Sequence, residues 1–445
     1  MGSYAEYWLG PLYIGATKYD VDDGLMRFFR PADKHVLQGK LGTLPFQMRK
    51  WAKYVEQEDD VTVVFYQCSG NALRSRLELR GYSREMAKKA FEMGLQAEID
   101  HYSSYDDSYK EMFGPTNPLE SIDVEQWLAA LRVIRSEGLE LIRWGNDAKE
   151  YEGTLIGYML KNDWYGCPTP DVNVAIRLML DVCPENDDFI YDLTDIISSG
   201  GFSADEDFVA YSLARSFNDN SAAAKTIVLT EGRSDSWIIS ESLKLLYPDV
   251  SEYFTFMDFE TARIAGGASG LANIVKAFAA AGIVNRVTAI FDNDTAGEVA
   301  VRSLRHTPLP RNIRILKLPV FEPLREYPTI GPTGLNSMDV NGIAGSIELY
   351  LGADVLSDER GTLIPVQWTG FEAGLKKYQG EVLSKSVIQE RFGRRLQACQ
   401  EDPSLLSKTD WTGIRTILSA IVDAFKDADA NDILSSLAQH HAADD

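Results

Sequence analysis

The chain has 445 residues, of which 45% are hydrophobic and 25% charged, and its formal net charge is −22. These are the proportions of a folded rather than a disordered protein, and the length asks for two or three cores rather than one. The acidic balance argues against a protein that coats nucleic acid nonspecifically, because such binding needs lysine and arginine in number. It leaves room for acids gathered around divalent cations, which become attractive to phosphate once the ions are bound. No apolar run reaches the roughly 20 residues of a membrane helix, and the first residues lack a secretion pattern, so a cytoplasmic protein without membrane contact is expected. Cys68, Cys167, Cys183 and Cys399 are scattered without metal or redox spacing, as reduced thiols in or near a core would be.

Tyr4 to Tyr19 is aromatic and β-branched around a Gly10-Pro11 turn and predicts a hairpin. Asp20 to Asp23 leads into a helical piece at Leu25 to Phe29, Val61 to Cys68 reads as a strand, and Ser83 caps a helix running to His101. Asn117 to Cys183 has mostly helical spacing, clearest in VEQWLAALRVIRSEGLELIRWG, and FNDNSAAAK before Thr226 reads as a joint near Asn220. Short apolar runs then alternate with helical stretches, the grammar of a parallel sheet covered by helices. The strands are Thr226 to Gly232, Tyr253 to Phe259, Val287 to Asp294 and Ile313 to Leu318; the helices are Ser234 to Tyr247, Ser269 to Ala281 and Thr295 to Arg305. A proline- and glycine-rich connection follows Leu318, then a helix at Ile343 to Leu351, and from Trp368 onward the chain reads as largely helical with a polar tail.

Two strand ends carry the chemistry. The first is Glu231-Gly232-Arg233-Ser234-Asp235, in which the glycine is expected to let the backbone turn and Asp235 sits one helical turn past Glu231. The second is Asp292-Asn293-Asp294-Thr295-Ala296-Gly297, where strand alternation sends Asp292 and Asp294 to one side. In-line phosphoryl transfer develops charge on an attacking and a leaving oxygen, and Mg²⁺ held by carboxylates neutralises both. Mg²⁺ keeps most of its waters, so four acids suffice for one or two ions. Without a cation the same four would repel and titrate upward.

Glu-Gly-x-x-Asp on one apolar strand and Asp-x-Asp-x-x-Gly on a later one, with the glycine turn from Ala265 to Gly270 between them, resemble the Toprim domain of topoisomerases, bacterial primases and overcoming-lysogenization-defect nucleases. The opening MGSYAEYWLGPLYIGATKYDVDDGLMRFF resembles a segment of bacterial proteins described as HEPN/Toprim-associated and implicated in phage defence. The resemblances imply an α/β Toprim domain, a Rossmann-like parallel sheet with flanking helices, at 221–360. An α+β domain at 1–115 and a helical connection at 116–220 would precede it, and a helical region at 361–445 would follow. They imply a nuclease that uses Mg²⁺ or Mn²⁺ on DNA or transfer RNA, with DNA the commoner target of such domains. A protein partner from the same defence system and restraint by the N-terminal domain go with that reading, and a homo-oligomer is compatible with it.

By the same resemblance Glu231 is a general base or acid and a metal ligand, Asp292 and Asp294 are metal ligands and catalytic, and Asp235 supports them as a ligand. Glu348 in SIELYL is either a further ligand or an ordinary helix-surface glutamate, and Asp339 is a weaker candidate. Lys317 either stabilises transition-state charge or snorkels off a strand end. Arg302, Arg305, Arg311, Arg314 and Lys317 form a basic strip that steers a phosphate backbone or merely solvates a surface. A topoisomerase would need a tyrosine domain, and a primase a zinc-ribbon cysteine set; neither is evident. Arg30 and His35 have HEPN spacing, but Pro31 breaks the helix that motif requires. A non-cleaving sensor of nucleotides or nucleic acid is the alternative from a different functional class.

Overall fold

The computed structural model describes residues 2–40, 60–104, 119, 122–141, 149–216, 225–257 and 266–443. The joint at 217–224, Phe259 at the end of the second expected strand, Ala265 and the last two residues lie outside them. Two compact units result: residues 1–220 with 425–445, and residues 221–424.

The first unit is built on an antiparallel sheet of β1 (Tyr4–Leu9), β2 (Leu12–Lys18), β3 (Lys34–Lys40), β4 (Asp60–Ser69) and β5 (Asp188–Asp192), in the order β2-β1-β5-β4-β3. Alternation in β1 sends Ala5, Tyr7 and Leu9 to the helix-covered face and Trp8 to the other, where it meets Tyr13, Val63, Phe65 and Ile190. The expected hairpin is present, with Gly10 in the left-handed region at φ 53°. Helices Gly70–Leu79, Arg84–Ser104, Val124–Glu137 and Val172–Met179 cover the inner face, and the Ser83 hydroxyl accepts from the Met86 N–H as expected of a cap. Trp127 is fully buried and its Nε1 donates to the Tyr165 carbonyl at 2.9 Å. The tail is a helix, Lys426–Ala443, packed against Arg84–Ser104 within this unit.

Arg30 and His35 do not share a helix: Pro31–Asp33 is a single 3₁₀ turn and His35 lies on β3. Arg30 pairs with Asp33 at 3.0 Å, and Asp33 also receives the fully buried Arg76 at 2.7 Å. Burial alone would raise the Asp33 carboxyl; the Arg76 guanidinium, with the Arg30 N–H and guanidinium, outweighs it and holds the group below its ordinary range. Arg76→Ala leaves that carboxylate buried and undercompensated, so a loss of about 3–5 kcal/mol in urea unfolding is expected. A change within about 0.5 kcal/mol would show that the pair is not holding this corner together.

The second unit contains a wholly parallel sheet of β6 (Thr226–Leu229), β7 (Phe254–Phe256), β8 (Val287–Phe291) and β10 (Ile313–Lys317), in the order β10-β8-β6-β7. Helices Arg233–Leu246, Ala268–Ala281 and Thr295–Ser303 connect the strands within two residues of the expected bounds. Leu229, Val287, Ala289 and Phe291 pack against Leu271, Val275 and Ala300, which explains why these strands read as continuous apolar runs.

Three expectations are corrected in this unit. Beyond β8 the chain does not extend the strand: β9 (Asn293–Asp294) pairs separately with β13 (Ala344–Gly345), so Asp292 and Asp294 are not alternate positions of one strand. No α-helix spans Ile343 to Leu351, because that stretch is β13 followed by a 3₁₀ turn, Ile347–Tyr350. The glycine-rich connection and the start of the supposed helical tail instead form a second sheet, β11 (Tyr327–Gly331), β12 (Gly334–Met338), β14 (Val366–Glu372) and β15 (Lys377–Val382), in the order β12-β11-β14-β15. Helical structure in this part begins at Lys385 and continues through Lys385–Glu401 and Thr412–Val422.

Candidate active site

The C-terminal ends of β6 and β8 lie side by side, and the loops leaving them bring the acids together. Glu231 follows β6, and its Oε1 accepts from the Asp292 N–H at 2.8 Å, a bond spanning 61 residues of sequence. Gly267, at φ 93°, donates its N–H to the Glu231 carbonyl at 2.7 Å, so the glycine turn holds the backbone under this side chain. Gly232 departs from expectation: it is extended at φ −150°, a conformation open to any residue, and serves as the N-cap position of Arg233–Leu246. Asp235 then sits in the first turn of that helix, where backbone N–H groups favour a carboxylate.

Asp294 caps the next helix, its Oδ1 accepting from the Gly297 N–H at 2.6 Å. The glycine of Asp-x-Asp-x-x-Gly has a steric reason: a Cβ on Gly297 would lie 2.3 Å from the Asp292 carbonyl oxygen. Gly345 is constrained likewise, since a Cβ there would stand 2.8 Å from the Asn293 carbonyl oxygen. The β9–β13 pairing that this permits carries Ser346 and Glu348 up to the acids. Glu348 is not a helix-surface glutamate: it is 3% exposed, accepting from Ser346 Oγ at 2.7 Å and from Gln389 Nε2 at 2.9 Å.

The electrostatics are those of crowded, partly desolvated acids. Burial, with the charges of Asp294 and Asp235, pushes Glu231 up to about 7 against the opposing bond from Asp292. Burial and then Glu348 push Asp235 to about 6. Asp292 is raised well above its ordinary range by burial and by Asp235, Glu231, Asp294 and Glu348 together. Asp294 is also raised by burial, with the Gly297 N–H, Lys385 and Lys317 opposing.

One cation of this site carried no sequence signal. Lys385 opens helix Lys385–Glu401, which packs on Arg233–Leu246 through Phe392 and Trp237. Burial alone would lower its ammonium; Glu348, Glu381, Asp292 and Asp235 outweigh that and raise it. Ser384 before it is held at φ 56°, a conformation costly for a non-glycine residue.

Other residues singled out from the sequence lie elsewhere or are engaged. Lys317 forms an ion pair with Glu298 at 2.9 Å, and Glu298 is drawn down to about 2 by Lys317 and Arg302. Of the basic strip, Arg302 bonds Glu298, and Arg314 donates to the Ala424 carbonyl. Asp339 is exposed and closes a turn by accepting from Asn341.

Among the described residues no group of three or more His, Cys, Asp or Glu side chains is arranged to hold a metal ion. The acids instead satisfy protein donors through Glu231 Oε1, Asp294 Oδ1 and both oxygens of Glu348. The donor set is nonetheless all carboxylate oxygen, the chemistry of Mg²⁺ or Mn²⁺, and Mg²⁺ asks for only one or two such ligands while keeping its waters. Among the described residues no helix is long and apolar enough to cross a membrane.

Residues 1–216 match the family model described as HEPN/Toprim N-terminal domain 1. No curated protein and no solved structure matches the chain. The first unit is thus similar to the N-terminal part of HEPN/Toprim-associated proteins, and the matched residues end before the acids of the second unit.

Proposed function

With an N-terminal unit of the HEPN/Toprim type as the premise, we propose that the chain is a Toprim-type nuclease that hydrolyses phosphodiester bonds with Mg²⁺ or Mn²⁺. We place it as an effector of a bacterial anti-phage system. The observation that carries the reading is the gathering of Glu231, Asp235, Asp292, Asp294 and Glu348 at one edge of a parallel sheet. Open α/β sheets bind ligands at that edge. Five acids at such cost to one another are hard to account for without a cation.

Asp292, Asp294 and Glu231 would hold the ion, with Asp235 and Glu348 completing the surround. When bound, it supplies charge neutralisation at the attacking and leaving oxygens. Glu231, whose carboxyl is raised by burial among the other acids in the metal-free chain, would take a proton from an attacking water and return it to the leaving oxygen. Lys385 keeps a positive charge against the cluster and faces the charge that develops on the phosphoryl oxygens. Lys317 tunes Asp294 and neutralises Glu298.

Purified protein incubated with plasmid, single-stranded DNA and transfer RNA should give products with Mg²⁺ or Mn²⁺ that vanish with chelator and with Glu231→Gln. The N-terminal unit is expected to restrain the site, so lysate from infected cells belongs in the same assay. Absence of products on every substrate, with and without that lysate, would favour the non-cleaving sensor.

A further inference from the structure

The hairpin of β14 and β15 carries three aromatic rings on one face. Phe371 lies across from Tyr378, and Trp368 lies across from Gly380, two residues along from Tyr378. The ring centroids are 5.4 Å apart for Phe371 and Tyr378 and 5.7 Å apart for Trp368 and Tyr378. Phe371 is 57% and Tyr378 53% exposed, so the outer two contribute little to a core. Trp368 spreads over two glycines: a Cβ on Gly380 would meet its ring at 2.9 Å and one on Gly331 at 3.1 Å.

This hairpin is tied to the acidic loop. Thr295, the residue after Asp294, donates its hydroxyl to the Tyr378 carbonyl at 2.6 Å. Lys377 Nζ donates to the Gly342 carbonyl at 3.1 Å, just before β13. Lys385, three residues past the end of β15, lies close enough for the charges of Glu348, Asp292 and Asp235 to raise its ammonium. One short stretch of chain therefore runs from exposed rings to the catalytic carboxylates.

We propose that Trp368, Phe371 and Tyr378 stack the bases of a single-stranded nucleic acid and deliver its backbone to the carboxylate site. The proposal rests on the nuclease reading for the direction of the strand. Base stacking on aromatic rings tolerates any sequence and does not rely on phosphate charge. A net charge of −22 disfavours broad phosphate contact, and ring stacking supplies affinity that does not depend on it. A duplex keeps its base faces covered by its own stacking and offers these rings nothing comparable.

The test is fluorescence anisotropy of the full-length protein with labelled single-stranded DNA, single-stranded RNA and the matching duplex, in chelator so that nothing is cut. Tighter binding of at least one single strand than of the duplex is expected, with a shallow salt dependence. Phe371→Ala and Tyr378→Ala, both at exposed positions, should each weaken strand binding roughly tenfold. Tyr378→Phe should retain it. Equal affinity for strand and duplex, no binding of either strand, or alanine variants that bind as the parent does would overturn the proposal and leave the face to a protein partner. Because binding is read without metal, a chain that binds strands through these rings yet cuts nothing would defeat the nuclease reading and leave the stacking face standing.

Discussion

Asp292→Asn should reduce metal-dependent cleavage on the order of a thousandfold, the scale lost when a group that stabilises transition-state charge is removed. The substitution is nearly isosteric and keeps the backbone N–H that Glu231 accepts from, so the fold should survive. It also removes the charge most opposed by its surroundings, since Asp235, Glu231, Asp294 and Glu348 all raise the Asp292 carboxyl. In chelator the variant should therefore unfold no earlier than the parent, while the stabilisation that Mg²⁺ gives the parent shrinks or vanishes. Cleavage within threefold of the parent, or an unchanged shift with Mg²⁺, would take Asp292 out of the site.

The second large effect is a proton–metal competition. Glu231 at about 7 and Asp235 at about 6 lie above the ordinary carboxylate range in the folded, metal-free chain. Folded values raised above unfolded ones mean that their contribution to stability is fully present below about pH 4 and is lost as pH rises through 6 and 7. Metal-free protein should thus lose stability across that window, and Glu231→Gln should remove part of the slope. Mg²⁺ binds only the ionised acids, so its affinity moves the opposite way. It should climb by at least roughly a hundredfold per pH unit below about 6, where Glu231 and Asp235 must both lose a proton, and Asp292 and Asp294, which are raised as well, steepen the climb further. Calorimetric titration with Mg²⁺ across this range checks the first sign, and thermal unfolding in chelator checks the second. A metal affinity that ignores pH would mean that these two carboxyls are not the groups displaced.

What could be read without coordinates follows from where the physics is local. β6 and β8 are short apolar runs because both faces of the parallel sheet are largely buried there, and the acids that follow them stand out against that background. β5 is the central strand of the first sheet yet carries no strand signal, because DFIYD is bounded by aspartates and resembles a loop. Asp192 is tolerated there because Thr194 donates to it from both its N–H and its hydroxyl. β14 and β15 were hidden by their exposed faces and by the bulge between Trp368 and Gly370, which breaks the alternation.

The acids were legible and their geometry was not. The spacing Asp-x-Asp predicts strand alternation, yet Asp292 lies just past the end of β8 and Asp294 is a helix cap with its own donor. The sequence leaves Glu348 open between a further ligand and a helix-surface glutamate, and only the β9–β13 pairing shows why it is buried. Lys385 has no local signature, since the packing of Phe392 on Trp237 is what brings the first turn of its helix within range of the charges of Glu348, Asp292 and Asp235. Long-range packing of this kind leaves no periodicity to read.

The most direct test is a crystal of the protein soaked in Mn²⁺ and measured for anomalous scattering. The account predicts a peak bounded by carboxylate oxygens of Asp292, Asp294 and Glu231, with Glu348 and Lys385 close by. A well-ordered cluster that stays free of Mn²⁺ at concentrations where the protein cuts nucleic acid, or a peak seated elsewhere in the chain, would contradict it.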